Sequence, residues 1–295
     1  MKTRFNPCLK TSALILLLTT FAFSCQKDLS HQYGNSQTPG QTGISIFLTD
    51  DPSLIFDQVF IDIQKVEVKV EDSSDIQQEQ EHESEADDND HHGGSSGGWM
   101  SLQIHPGVYD ILQFRNGLDT LFASGNFLSS LAFKKLRITL GSNNSVVKNG
   151  ITSALTLKND DRFIVVKTED FGINFSSPDL FNLWIDFDAG RSIRQHGNEF
   201  ELQPEIRLFT KEKAGEIEGR VLPAAAGAVV MAVNGTDTLS AKPENEGEFK
   251  FIGLKAGTYS LLIHATANNY QDSLITNIQV AEKDDTHIGT VTLHK

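Results

Sequence analysis

The stretch EDSSDIQQEQEHESEADDNDHHGGSSGG, residues 71–98, gathers ten carboxylates and three histidines with no Lys or Arg. Carboxylate oxygens at that density are hard ligands suited to Ca²⁺. His82, His91 and His92, beside Asp87, Asp88 and Asp90, add imidazoles that suit Zn²⁺ or Cu²⁺. The spacing does not follow the ligand order of an EF-hand. His82-Glu83 is followed by Ala86, where a metalloprotease helix would carry its second histidine. The competing reading is a solvated, self-repelling, disordered insertion that ends in Gly and Ser, and the composition favours it. Weak association with Ca²⁺ fits both readings, and no other cofactor is implied.

WIDFDAGRSI is a second place where chemistry could sit. On a strand, Trp184, Asp186 and Asp188 share one face, while Leu183, Ile185 and Phe187 share the other. The first set, with Arg191, forms a candidate ligand face: the indole could stack on a sugar ring while the carboxylates take hydroxyls or a cation. The simpler reading has Asp188 capping the next turn and pairing Arg191 or Arg194, with Trp184 filling a layer. Strand-end Asp before Gly-Arg is ordinary turn chemistry, which favours the simpler reading. Asp50-Asp51-Pro52 poses the same choice between a calcium-binding corner and a plain turn. The chain has no Gly-x-Ser-x-Gly elbow, P-loop or Gly-x-Gly-x-x-Gly, so the expectation is a protein that is not an enzyme. Two alternatives stay open: a metal-binding surface protein that uses the acidic insertion, and a glycan-active enzyme that uses paired carboxylates.

The elements that must position these residues are strands. Val59, Ile61 and Ile63 alternate on odd positions, then Val66, Val68 and Val70 on even ones, which predicts a bulge near Gln64-Lys65. YDILQF, LDTLFA, KKLRITL, RFIVV, FNLWIDFD and EIRLFT read as further strands between turn residues. A single helical turn is expected around 126–131. Beyond Gly215, seven short strands in about eighty residues predict a compact β-sandwich. The fold class is therefore all-β, with two tandem β-sandwich-like domains at 43–212 and 215–295.

Charge narrows the partners. The 295 residues carry 25 Lys plus Arg against 39 Asp plus Glu, a net −14, which repels nucleic acid phosphates and argues against that partner. Lys2, Arg4 and Lys10 precede an apolar stretch from Ala13 to Phe23, the pattern of an export signal. No apolar run reaches the ~20 residues needed to span a bilayer. Ala22-Phe23-Ser24-Cys25 resembles a bacterial lipobox, with Phe23 where a small residue is commoner. The other reading is an ordinary signal peptide before an incidental cysteine. Removal of residues 1–24 takes Cys8 with it and leaves Cys25 as the sole thiol, unable to form an internal disulfide. Acylation would give that thiol a role and tether the protein to a membrane by several chains.

Gln26, Lys27 and Asp28 follow the cysteine. The run resembles the export signal that sends lipoproteins to the cell surface in one large Gram-negative phylum, although Leu29 replaces a second acid. Residues 25–42 read as a flexible tether. Asp119-Thr120-Leu121, Asp237-Thr238-Leu239 and Asp272-Ser273-Leu274 resemble the O-glycosylation pattern of the same phylum. The expected location is the outer membrane, facing the medium, with a glycan or protein partner there.

Two family resemblances cover most of the chain. GEIEGRV and EGEFKFIGLKAGTYSLLIHA, with Gly247, Phe249, Gly253, Leu254, Gly257 and Tyr259 in the matching places, resemble the transthyretin-like, carboxypeptidase-regulatory-like sandwich. That resemblance implies a spacer module without catalytic residues; Gly247 and Gly257 are expected at positive φ. ISIFLTDDP, VFIDIQKVEV, GGWMSLQ, YDILQFRNG, LRITLGSNN, WIDFDAGRSI and FELQPEIRL resemble the bacterial lipoprotein domains catalogued as domain of unknown function 4382. That resemblance implies a β-rich extracytoplasmic domain and transfers no activity.

Overall fold

The computed structural model describes residues 40–50, 56–72, 98–171 and 181–295. The chain begins with β1 (Gln41–Thr49), β2 (Gln58–Asp72), β3 (Trp99–Ser101), β4 (Gln103–Ile104) and β5 (Gly107–Asp110). It continues through β6 (Thr120–Leu128), β7 (Leu131–Leu140), β8 (Ser145–Lys148), β9 (Ile151–Leu157) and β10 (Phe163–Lys167). β11 (Phe181–Phe187), the one-turn α1 (Ala189–Ser192), β12 (Ile193–His196), β13 (Glu199–Leu202) and β14 (Ile206–Phe209) complete the first region.

One sheet has the order β14-β11-β1-β6-β4, and a second runs β10-β7-β2-β8-β9-β13-β12, with β3 and β5 also on β2. Between them lies one apolar core that includes Ile44, Ile46, Leu48, Val59, Leu136, Ile138, Leu183 and Ile185. β1 sits at the centre of its sheet and pairs in parallel with β11, so Phe47 lies beside Trp184 and Thr49 beside Asp186.

The bulge expected in β2 is present: its pairing with β7 shifts between Ile63 and Lys65. The extra residue keeps Val59, Ile61, Ile63, Val66, Val68 and Val70 all in the core while Gln64 and Lys65 face out. Asp62, 2% exposed, is held by the turn after β7. Asn143 N donates to its carboxylate at 3.0 Å and Asp62 N donates to Asn144 Oδ1 at 2.8 Å. A Cβ at Gly141 would overlap that carboxylate, so LGSNN and FIDIQ are two halves of one structural knot.

Two local expectations need correction. YDILQF is strand only as far as Asp110; Ile111–Phe114 is a 3₁₀ turn. Ile111 and Leu112 are both buried, and adjacent residues cannot both face the core from a flat strand. Residues 126–131 hold no helical turn: β6 runs to Leu128 and a tight turn leads into β7 at Leu131.

The C-terminal region has seven strands among the described residues, as expected. They are β15 (Gly215–Leu222), β16 (Val229–Asn234), β17 (Asp237–Ala241), β18 (Glu248–Leu254), β19 (Gly257–His264), β20 (Ser273–Val280) and β21 (Asp285–Thr292). Sheets β18-β15-β21 and β17-β16-β19-β20 enclose Ile217, Val230, Phe249, Phe251, Tyr259 and Leu261. The buried Tyr259 hydroxyl donates to Lys255 O at 3.0 Å, so its polar end is satisfied. Gly247 has φ +88° and its missing Cβ makes room for Val221 O. Gly257 lies outside the positive-φ set; a Cβ there would stand 2.8 Å from Asn234 Nδ2, the end of a side chain that can swing aside.

Candidate functional site

FNLWIDF is apolar on the face of Phe181, Leu183, Ile185 and Phe187 and mixed on the face of Asn182, Trp184 and Asp186, yet Leu183 to Phe187 are all buried, so the strand is covered on both faces. Leu183, Ile185 and Phe187 enter the first core. Trp184 points the other way, where it meets the C-terminal region. Phe47, Trp184 and Phe209 lie side by side on β1, β11 and β14. Trp184 stacks on Phe47 at 4.8 Å and 13°, and on Phe209 at 6.0 Å and 19°. Phe209, Ala214 and Ile252 close the cluster, and Trp184 is 5% exposed. The indole Nε1 donates to Asp119 Oδ2 at 2.7 Å, and Lys211 Nζ lies 4.7 Å from the ring centroid. Both faces of the indole are occupied by this chain's own side chains, so it has no face left for a sugar ring.

Asp186 is 3% exposed and forms an ion pair with Arg207, directly across the β11–β14 ladder. Arg207 Nε donates to Asp186 Oδ2 at 3.1 Å, and its Nη1 reaches Gly253 O in β18 at 3.4 Å. A buried carboxylate is tolerable only when paired and hydrogen-bonded, and Arg207 supplies both. Gly253 allows this close approach: with φ +74°, a Cβ there would stand 2.6 Å from Phe209 Cδ1.

Asp188 caps α1, accepting from Arg191 N at 2.8 Å. This is the turn chemistry expected of Asp-Ala-Gly-Arg. Burial pushes the Asp188 carboxyl above its ordinary value, opposed by the Arg191 amide and guanidinium and reinforced by the Asp186 charge. The Arg191 guanidinium lies 3.4 Å from Asp188 and donates to Thr238 O in β17 at 3.1 Å. The loop before β6 adds another tie, Asn116 Nδ2 to Lys242 O at 3.0 Å. The structure thus brings all four residues of the candidate ligand face together, as the seam between the two β regions. Phe47, Phe209, Arg207 and Ile252, which were not singled out from sequence, complete that seam with Asp119, which the sequence marked only as part of a glycosylation-like triplet. The signal available for them was Trp184 on the face of β11 opposite Leu183, Ile185 and Phe187: a large apolar ring there calls for a covering layer on the second side.

The other candidate residues divide simply. Cys25, Gln26, Lys27 and Asp28, and His82, Asp87, Asp88, Asp90, His91 and His92, lie outside the described residues. The insertion that holds the last six connects β2 to β3, which pair antiparallel with Lys69 opposite Trp99. The acids of the three glycosylation-like triplets have local tasks: Asp119 holds Trp184, Asp237 lies 3.9 Å from Arg191, and Asp272 accepts from Ala265 N at 2.8 Å beside His264.

An additional polar cluster lies on the outer face of β18-β15-β21, beside an open groove of about 530 Å³. Glu218, Asp285 and His287 bring ligand atoms within 4.8 Å of one another there. Lys250 sits among them, with Nζ 2.6 Å from Glu216, 3.2 Å from Glu218 and 3.8 Å from Asp285. Burial alone would lower the Lys250 pKa, but the hydrogen bond and charge of Glu216, with Glu218 and Asp285, raise it. The ammonium already occupies the space among these carboxylates, so a metal ion would have to displace it.

The fold and the seam define an all-β protein in which one β-sandwich region is packed directly on another. The chain belongs to the family described as "Domain of unknown function (DUF4382)", whose model matches residues 41–204. No curated protein matches it. Among solved structures, the shaft pilin spaA of Lactobacillus rhamnosus GG is 7% identical with a TM-score of 0.26, covering 87% of this chain and 98% of that one. The minor pilin GBS52 of Streptococcus agalactiae is 12% identical with a TM-score of 0.21, covering 86% and 95%. A type II cohesin–X–dockerin complex from Acetivibrio cellulolyticus is 24% identical over 27% of this chain, with a TM-score of 0.22. The match spans only 56% of that structure's own chain.

Proposed function

We propose that this protein is a non-enzymatic lipoprotein, anchored through acylated Cys25 in the outer membrane and facing the medium as a structural or binding component. Residues 215–295 serve in this reading as a carboxypeptidase-regulatory-like module. The observation that carries the non-enzymatic reading is the fate of the β11 face. Its indole is stacked on both sides, Asp186 is paired with Arg207, and Asp188 caps α1. The side chains best suited to chemistry are therefore spent on joining the two β regions. Anchorage rests on the Ala-Phe-Ser-Cys run and on Cys25 as the only thiol left after cleavage.

Metabolic labelling with a tagged fatty acid, followed by membrane fractionation, tests the anchor. Wild-type protein takes up label and sediments with outer membranes; Cys25→Ser does neither. Equal membrane association of the unlabelled variant would sink the lipid-anchor reading.

A further inference from the structure

Strand register builds a row of like charges on the outer face of the larger sheet. Lys167 in β10 stands directly opposite Lys135 in β7, Lys135 opposite Lys69 in β2, and Lys69 opposite Trp99 in β3. The β7–β2 pairing shifts just beyond, between Lys69 and Val70, and that bulge sets Lys134 beside the row. All four lysines are partly or fully exposed. Lys167 lies 3.8 Å from Glu169, whereas Lys69, Lys134 and Lys135 have no carboxylate partner among the described residues.

Like charges directly opposite one another weaken a sheet, so the row calls for a reason. Lysines on edge strands discourage stray pairing, which accounts for Lys167 on the edge strand β10. It does not account for Lys135 and Lys69, because β7 and β2 lie inside the sheet. Neighbouring acids do not cancel the charge either. Glu67 is taken by Lys65 at 2.6 Å and Arg137 at 2.9 Å. Glu71, further along that face of β2, and Glu169 and Asp170, just after β10, are left to answer four ammonium groups. The described part of this face is therefore net positive on a chain of net −14.

Rings interleave with the cations. The Arg137 guanidinium lies 4.1 Å from the Trp99 ring centroid and 5.5 Å from that of Phe163. Phe163 is 54% exposed, and Val165, opposite Arg137, is 51% exposed. Neighbouring strands lie about 4.8 Å apart, so the row offers one cation per strand in a line, bordered by apolar surface. A linear chain of uronate sugars has the complementary form: each ring carries one carboxylate at a comparable repeat and turns a C–H face toward aromatic side chains.

We propose that Lys167, Lys135 and Lys69, with Trp99, form a binding strip for an acidic polysaccharide of the uronate class. Charges beyond a Debye length of about 8 Å are largely screened, so the local cations decide the contact and not the net charge of the chain. The inference gives the binding role proposed above a site and a partner class. Only the choice of glycan over nucleic acid rests on display outside the cell.

The test uses the whole purified protein away from any membrane, so its result is independent of the lipid anchor. The probes are oligogalacturonate, neutral dextran and oligothymidylate at physiological salt. Oligogalacturonate binds and changes the tryptophan emission, dextran does not bind, and oligothymidylate binds more weakly. Lys69→Gln combined with Lys135→Gln weakens uronate binding by about tenfold or more and lessens its salt dependence. The Tm of that variant stays level or rises, because opposed like charges are gone. Lys242→Gln combined with Lys255→Gln removes the same charge from exposed sites in the C-terminal region and leaves binding unchanged. Trp99→Phe abolishes the emission change, since the other tryptophan, Trp184, is buried in the seam. Absence of uronate binding by wild type would overturn the proposal, as would equal losses in the two lysine pairs or equal binding of oligothymidylate. Uronate binding that appears only after the acids of 71–98 are replaced would also overturn it, because the chain's own carboxylates would then be the row's partner.

Discussion

Truncating Trp184 to alanine probes the seam most sharply. The side chain is 5% exposed, stacked on Phe47 and Phe209, and hydrogen-bonded to Asp119. Removing a buried aromatic of this size costs roughly 3–5 kcal/mol, and stacked pairs place the site toward the upper half of that range. With a urea m-value of about 2 kcal/mol/M, a loss of ~4 kcal/mol lowers the unfolding midpoint by about 2 M. Ile252, 8% exposed in β18, belongs to the same cluster from the other region, and its truncation costs about 2–5 kcal/mol. If the cluster is one packing unit, the double variant Trp184→Ala with Ile252→Ala loses about 1 kcal/mol less than the two singles together. Wild type unfolds in one transition by tryptophan fluorescence and by circular dichroism, and the double variant in two. Strict additivity to within ~0.3 kcal/mol, with two separate transitions already present in wild type, would refute the reasoning.

Other outcomes follow from single contacts. Gly141→Ala drives a methyl into the buried Asp62 carboxylate and should cost about 2 kcal/mol or more, measured by urea melt; a neutral result would remove the β2–turn knot. Burial pushes Glu67 up, but hydrogen bonds from Arg137 and Lys65 outweigh it and hold the carboxyl below its ordinary 4.5. Its stabilising contribution is therefore present above that pH and disappears as pH falls through the lower folded-state value. Glu67→Gln should thus lose about 1.5–3 kcal/mol at pH 7 and converge on wild type in strong acid, and a pH-independent gap would contradict this. Lys250→Met leaves Glu216, Glu218 and Asp285 facing one another and should destabilise by about 1–2 kcal/mol at neutral pH, with the loss shrinking in high salt. Because the Lys250 pKa is raised, wild type keeps that contribution until pH passes above 10.5.

Much of the fold is legible in local pattern. Alternation in β2, with its change of phase at Gln64-Lys65, is a statement about which face of one strand is buried, and short-range sterics decide it. Asp188 as a cap is equally local, three residues from the amide it accepts. What escapes the sequence depends on partners far along the chain. The stacking of Trp184 needs Phe47 and Phe209 on neighbouring strands, and Arg207 reaches Gly253 across a boundary between regions. The 3₁₀ turn at Ile111–Phe114 was hidden because YDILQF has strand propensity, and only its two adjacent core contacts override that. Gly257 illustrates a subtler miss: the residue adopts ordinary negative φ, so the turn it opens does not need glycine for its backbone conformation.

The claim most in need of a direct test is that the protein is displayed, lipid-anchored, at the cell surface. Protease shaving of intact cells, with a periplasmic protein as internal control and Cys25→Ser alongside, tests it. The account predicts that wild type is digested while the control survives, and that the variant is no longer held on the cell exterior. Digestion of wild type only after lysis would contradict surface display, and the Gln26-Lys27-Asp28 export reading would fall with it.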